Sequence, residues 1–126
     1  MDLSQNKDKL DIIFEMQQAL NEDIRERRNL EGISHEQWIQ RHMLAMFAEM
    51  AEVLDEVNYK WWKNAKPLDE NALKDELVDV LHFFVSMCLE AGMDADDLCR
   101  RYLAKNQENF LRQQGKSEKQ GYAPQP

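Results

Sequence analysis

The sequence predicts an all-α fold, a helical bundle of about four to five helices. Three observations carry that prediction. Apolar residues recur at three- and four-residue steps through several long segments, the spacing of one helix face. The four Gly and three Pro fall mostly near the ends of those segments and leave their interiors unbroken. Side chains that accept a backbone hydrogen bond stand where helices should begin, at Ser34, Asp69 and Asp94.

The first helix is expected over roughly Lys9 to Arg27, with Leu10, Ile13, Phe14, Met16 and Leu20 on its apolar stripe. Gln17 and Asn21 sit one turn apart beside that stripe. Together they offer the amide donors and acceptors that can read the edge of a base, although surface amides are common. Gly32 breaks the segment. Ser34 with Gln37 three residues on forms a capping box, so a second helix should start near His35. It is expected to run to about Lys63. Met43, Met46, Phe47, Met50, Val53, Leu54 and Val57 form its broad apolar arc, and Glu49, Glu52 and Glu56 border that arc.

A third helix should follow Pro67, capped by Asp69, and end at Ala91-Gly92. Leu73, Leu77, Val80, Leu81, Phe84, Met87 and Cys88 make its arc, and Glu76 and Asp79 fall at the border with Phe83 between them. Asp94 should cap a fourth helix from about Ala95 to Gln114. This gives a helical domain over 1–114 and a mobile, polar C-terminal tail over 115–126.

The chemistry is concentrated in Glu49-Met-Ala-Glu52 and Glu76-Leu-Val-Asp79. Residues three apart share a helix face, so each pair aims two carboxylates one way. The break at Ala65-Lys66-Pro67-Leu68-Asp69 lets the two helices fold back antiparallel and bring four carboxylates together. One acidic pair is ordinarily a solvated face. Two pairs on the shoulders of two packed helices repel each other unless a cation lies between them. Hard cations such as Mg²⁺ prefer oxygen ligands, which points to a Mg²⁺-dependent phosphate enzyme. Asp79-Val-Leu-His82 invites a di-iron reading, but such centres take Glu-x-x-His from each of two helices, and the second helix offers no matching His. Tyr59-Lys60-Trp61-Trp62-Lys63 reads either as a helix end packing its rings, or as Lys60 on a phosphate chain with a Trp ring walling a base pocket.

Bulk properties narrow the classes. At 126 residues the chain is one domain with a modest core, and 43% hydrophobic with 32% charged residues is a globular composition. A formal net charge of −8 argues against nucleic-acid binding. No run of about 18 apolar residues exists to span a membrane. Cys88 and Cys99 are not in a metal-binding pair and read as reduced thiols, with a cytoplasmic setting as the default.

The ordered set Gln17…Asn21, Glu49-x-x-Glu52, Lys60-x-Trp62, Glu76-x-x-Asp79-x-x-His82-Phe83 and Lys105-x-x-x-Asn109-x-x-Arg112-Gln113 resembles the all-α NTP pyrophosphatases. Within that superfamily it looks most like the dimeric dUTPases, with MazG-like and dCTP-directed relatives. The resemblance covers about Leu10 to Tyr122. It implies a homodimer that completes the bundle and cleaves dUTP to dUMP and diphosphate with Mg²⁺, or with Mn²⁺ in its place. It further implies that Glu49, Glu52, Glu76 and Asp79 bind metal, with Glu49 also activating the attacking water. Lys60, Lys105, Asn109 and Arg112 would hold the phosphates, and Gln17, Asn21, Trp62 and Phe83 would frame the base and sugar. The chain lacks the helices that dimeric dUTPases insert between the third and fourth segments, so a dCTP-preferring or broader MazG-like activity stays open. The non-enzyme alternative is a helical dimerisation module whose acids are merely solvated.

Overall fold

The computed structural model describes residues 6–125 and, among them, four helices and no strand: α1 (Lys9–Arg27), α2 (His35–Glu56), α3 (Glu70–Glu90) and α4 (Ala95–Gln113). The all-α expectation holds. Each helix starts on a side-chain cap. Asp8 and Ser34 close reciprocal capping boxes with Asp11 and Gln37, while Asp69 accepts from the Ala72 amide at 3.0 Å and Asp94 from the Asp97 amide at 2.8 Å. After α3 the chain turns at Gly92, whose φ of +81° is a conformation other residues adopt only under strain.

The end of α2 corrects the sequence expectation. The helix stops at Glu56, and Tyr59-Lys60-Trp61-Trp62-Lys63 lies outside it in turns. Asn58 takes φ +53°, and its side chain grips Lys66 from both sides: Nδ2 donates to the Lys66 carbonyl at 2.7 Å and Oδ1 accepts from the Lys66 amide at 2.9 Å. Asn tolerates this left-handed conformation better than most residues. A local side-chain clamp thus outcompetes helix propagation.

The chain divides into two compact units, Met1–Gly92 and Met93–Pro126. In the first, α3 is central and packs against both α2 and α1. Its Val85, Ser86 and Cys88 are buried, as is Phe14 of α1. Glu90, with its side chain 6% exposed, ties all three helices: Arg25 of α1 donates to Oε1, and His35 Nδ1 at the start of α2 donates to Oε2 at 2.7 Å.

The broad apolar arcs are not closed over. Met43, Phe47, Met50 and Leu54 of α2, Val57 just after it, and Leu77, Leu81 and Phe84 of α3 remain exposed. Two helices meeting side by side share one seam, so much of each wide arc is left uncovered among the described residues of unit 1. Phe47, Met50, Leu54, Leu77 and Val80 line an open groove along that seam. In the second unit, the residues after α4 turn back on it. Ser117 Oγ donates to Glu108 Oε1 at 2.6 Å, and the Arg112 guanidinium lies 5.3 Å from the centre of the Tyr122 ring. Cys88 and Cys99 are free thiols.

Candidate active site

Two three-residue steps, one on α2 and one on α3, put Glu49, Glu52, Glu76 and Asp79 into one cluster. One carboxylate oxygen from each lies within 4.8 Å of the others. Glu49, Glu76 and Asp79 are half-buried and Glu52 is exposed. The crowding appears in the acidities. The Glu76 carboxyl is pushed up to about 7, first by the neighbouring Glu52 carboxylate, then by partial burial and by repulsion from Asp79 and Glu49. Glu49 is also raised, by burial first and then by Glu52 and Asp79. Buried Glu49 Oε2 and Glu76 Oε2 have no hydrogen-bond partner. Leaving such an oxygen unsatisfied is unfavourable, more so when it is charged. Oxygen-only donors, unpartnered lone pairs and mutual repulsion together fit a hard divalent cation. His82 is not in the cluster. Its Nδ1 donates to the Val78 carbonyl at 2.9 Å, so it serves as a bonded helix histidine rather than a ligand.

Beside the cluster opens a cleft of about 470 Å³, within the range of small-molecule sites. Glu49 and Asp79 form its acidic border, Gln17, Asn21, Leu20 and Ile24 one wall, and Trp38, His42 and Phe83 its aromatic part. Gln17 is buried at 7% exposure and donates through Nε2 to Asn21 Oδ1 at 3.0 Å. Asn21 Nδ2 donates to Ser86 Oγ at 3.1 Å, and Ser86 donates to the His82 carbonyl at 2.7 Å. This relay from α1 to α3 fixes both amides in place. Two of the expected base-framing residues, Gln17 and Asn21, thus share the cleft with a third, Phe83.

Trp62 does not line it. That ring is exposed in the turn after α2, edge-on to Trp61 with centroids 4.7 Å apart and to Tyr59 at 6.4 Å. The tryptophan in the cleft is Trp38, which the sequence reading passed over along with Arg25, Arg41 and His42. Arg25 lies 4.2 Å from the Trp38 ring centre, and the His42 ring stacks on Trp38 at 5.4 Å and 22°. A signal for Trp38 and His42 was present. Trp38, His42, Ala45, Glu49 and Glu52 follow steps of four, three, four and three, so the acidic stripe of α2 continues upward as an aromatic one.

Lys60 lies outside this cleft. It borders a separate recess of about 420 Å³ with Asn58, Tyr59, Lys63 and Lys66, a cationic rim on the loop after α2. In the second unit, Lys105 and Asn109 are exposed on α4, and Arg112 donates through Nε to Glu108 Oε1 at 3.2 Å.

The family model described as dUTPase matches residues 9–94. A dCTP pyrophosphatase of Enterobacteria phage T4 is 32% identical over 87 residues, covering 58% of this chain and 51% of that protein. A dCTP pyrophosphatase of Enterobacteria phage LZ5 is 38% identical over 58 residues, covering 46% of this chain and 34% of its own length. The matches thus span about half and about a third of those relatives. No solved structure gives a significant match.

Proposed function

This chain belongs to the dUTPase family, and from that premise we propose that it is a Mg²⁺-dependent nucleoside triphosphate pyrophosphohydrolase that cleaves dUTP to dUMP and diphosphate. The observation that carries the reading is the meeting of four carboxylates within 4.8 Å beside a cleft of nucleoside size.

Glu49, Glu52, Glu76 and Asp79 would hold the metal, with Mn²⁺ as a substitute for Mg²⁺. When bound, the cation lowers the pKa of a coordinated water and offsets charge on the phosphate oxygens. Glu49 accepts the proton of the attacking water, a role suited to a carboxylate whose acidity is already weakened by burial. The water oxygen bonds to the β-phosphorus as the bond to the α–β bridging oxygen breaks, so dUMP departs and diphosphate remains. Attack at that phosphorus makes dUDP a substrate too. Lys60, Lys105 and Arg112 would offset the charge of the phosphate chain and Asn109 would donate a hydrogen bond to it, while Gln17, Asn21 and Phe83 would frame the base, with Trp38 in the cleft rather than Trp62.

Two further points belong to this reading. The uncovered arcs of α2 and α3 suit a homodimer, since open apolar grooves on a small chain call for a partner. A cytoplasmic setting suits a nucleotide enzyme with two free thiols. Among the described residues no helix is long and apolar enough to cross a membrane.

A second reading, preference for dCTP, is favoured by the two relatives named dCTP pyrophosphatase. A panel of dUTP, dUDP, dTTP, dCTP and ATP with Mg²⁺ decides between them. The reading expects fastest release of diphosphate from dUTP. Glu49→Gln should lower kcat by on the order of 10²–10⁴, and near-normal turnover in that variant would sink the assignment.

A further inference from the structure

Among the described residues, three buried side-chain polar atoms lack a hydrogen-bond partner: Glu49 Oε2, Glu76 Oε2 and His42 Nε2. The first two belong to the carboxylate cluster, where a cation answers for them. Nothing in that chemistry accounts for the third. His42 is 9% exposed and lines the cleft, with its ring held between neighbours: stacked on Trp38 and tilted against Phe83 at 6.1 Å. Buried polar atoms without partners are rare because they give up water and gain nothing. An orphaned nitrogen on a residue that lines a cleft of nucleoside size points to a ligand.

Several of the cleft's other polar groups are already engaged, and the Arg41 guanidinium lies 5.6 Å from the Trp38 ring centre. Gln17 and Asn21 bond to each other and to Ser86, Arg25 is held by Glu90, and His82 Nδ1 donates to Val78. Glu49 and Asp79 belong to the cluster. His42 also stands seven residues above Glu49 on the same face of α2, about 10 Å along the axis. That is the span between the base and the phosphates of one nucleotide.

Resting on the reading of this cleft as the base pocket, we infer that His42 determines base specificity: its Nε2–H donates a hydrogen bond to the C4 carbonyl of uracil, the position at which cytosine carries an amino group, so that uracil is preferred over cytosine. A neutral imidazole has one donor nitrogen and one acceptor. Burial holds this ring neutral, opposed by Glu90 and reinforced by Arg25. With the proton on Nε2, the tautomer a free neutral imidazole favours, the buried nitrogen is the donor. Against cytosine, two donors would face each other and both would be left unmade, the kind of mismatch that discriminates strongly.

The test compares kcat/KM for dUTP and dCTP at saturating Mg²⁺ in the wild type, His42→Phe and His42→Gln. The wild type should prefer dUTP by at least about tenfold. His42→Phe keeps the stacked ring and removes both nitrogens, so the ratio should fall toward one, through loss on dUTP. His42→Gln, which still offers an N–H, should keep part of the preference. In the wild type itself, without metal, the His42 Nε2 resonance should move when dUMP is added and stay put with dCMP. An unchanged ratio in His42→Phe, a wild-type preference for dCTP, or an Nε2 resonance indifferent to dUMP overturns the inference while Mg²⁺-dependent diphosphate release still upholds the pyrophosphatase reading. Hydrolysis of no triphosphate by the wild type overturns both.

Discussion

At Glu76 crowding of carboxylates makes one contribution to stability depend on pH. Its carboxyl titrates near 7 in the fold against an ordinary value of 4.5. A carboxyl raised in this way holds its proton more tightly when folded. Its contribution to stability is complete below about 4.5 and lost as pH rises through about 7. Metal-free protein should therefore lose thermal stability across that window, and Mg²⁺ should restore it increasingly toward the alkaline end, because protons and cation compete for the same oxygens. Melts in chelator and in Mg²⁺ across the window measure this, and a Mg²⁺ shift independent of pH would contradict it. Glu90 carries the opposite sign. Burial pushes its carboxyl up, but Arg25 and His35 outweigh burial and leave it below the ordinary range. Its contribution is present above about 4.5 and is lost as acid takes pH down through the depressed value. Glu90→Ala should cost about 1.5–3 kcal/mol at neutral pH, the value of charge-assisted hydrogen bonds, and should flatten the acid limb of the stability curve. Urea titration near pH 4 and pH 7 (about mid-limb and plateau) reads both effects.

Among the elements, α2 is the one whose length decides where Lys60 sits. Had it run on to Lys63, Lys60 would have stayed on a helix face. Ending at Glu56 instead, it releases a loop whose rim gathers Lys60, Lys63 and Lys66. Asn58 sets that loop through two hydrogen bonds and a positive φ. Asn58→Ala removes the clamp and leaves a residue poorly suited to the left-handed region. The expected loss is about 2–3 kcal/mol, from two hydrogen bonds near 1 kcal/mol each and the conformational strain. If Lys60 holds phosphate, the nucleotide KM should rise in that variant while kcat changes less. A Tm drop with unchanged KM would detach the loop from substrate binding.

For the whole molecule, the exposed groove of Phe47, Met50, Leu54, Leu77 and Val80 sets the expectation. A charge placed there should leave the helices intact and abolish self-association. Phe47→Glu is expected to sediment as a monomer where the wild type sediments as a dimer. Equal sedimentation of the two, or a wild type that is already monomeric, would remove the homodimer from the account. The variant's Mg²⁺-dependent melting shift should persist, because the carboxylate cluster lies entirely within one chain.

By itself the sequence determined where the helices start and which acids pair on one helix face. Spacing of three or four along a helix is a local geometric fact, so Glu49 with Glu52 and Glu76 with Asp79 had to share faces. Caps such as Ser34 and Asp69 act over one turn and are read as easily. Only the tertiary structure decided where α2 stops, because the Asn58 grip on Lys66 reaches across a turn that periodicity does not register. It also decided which aromatic ring enters the cleft. Trp38, His42 and Phe83 are brought together from two helices by packing, whereas Trp61 and Trp62, conspicuous in the sequence, were left in solvent. Neighbours along one helix follow from its pitch, but neighbours between helices follow from how surfaces fit, and that information is spread over the whole chain.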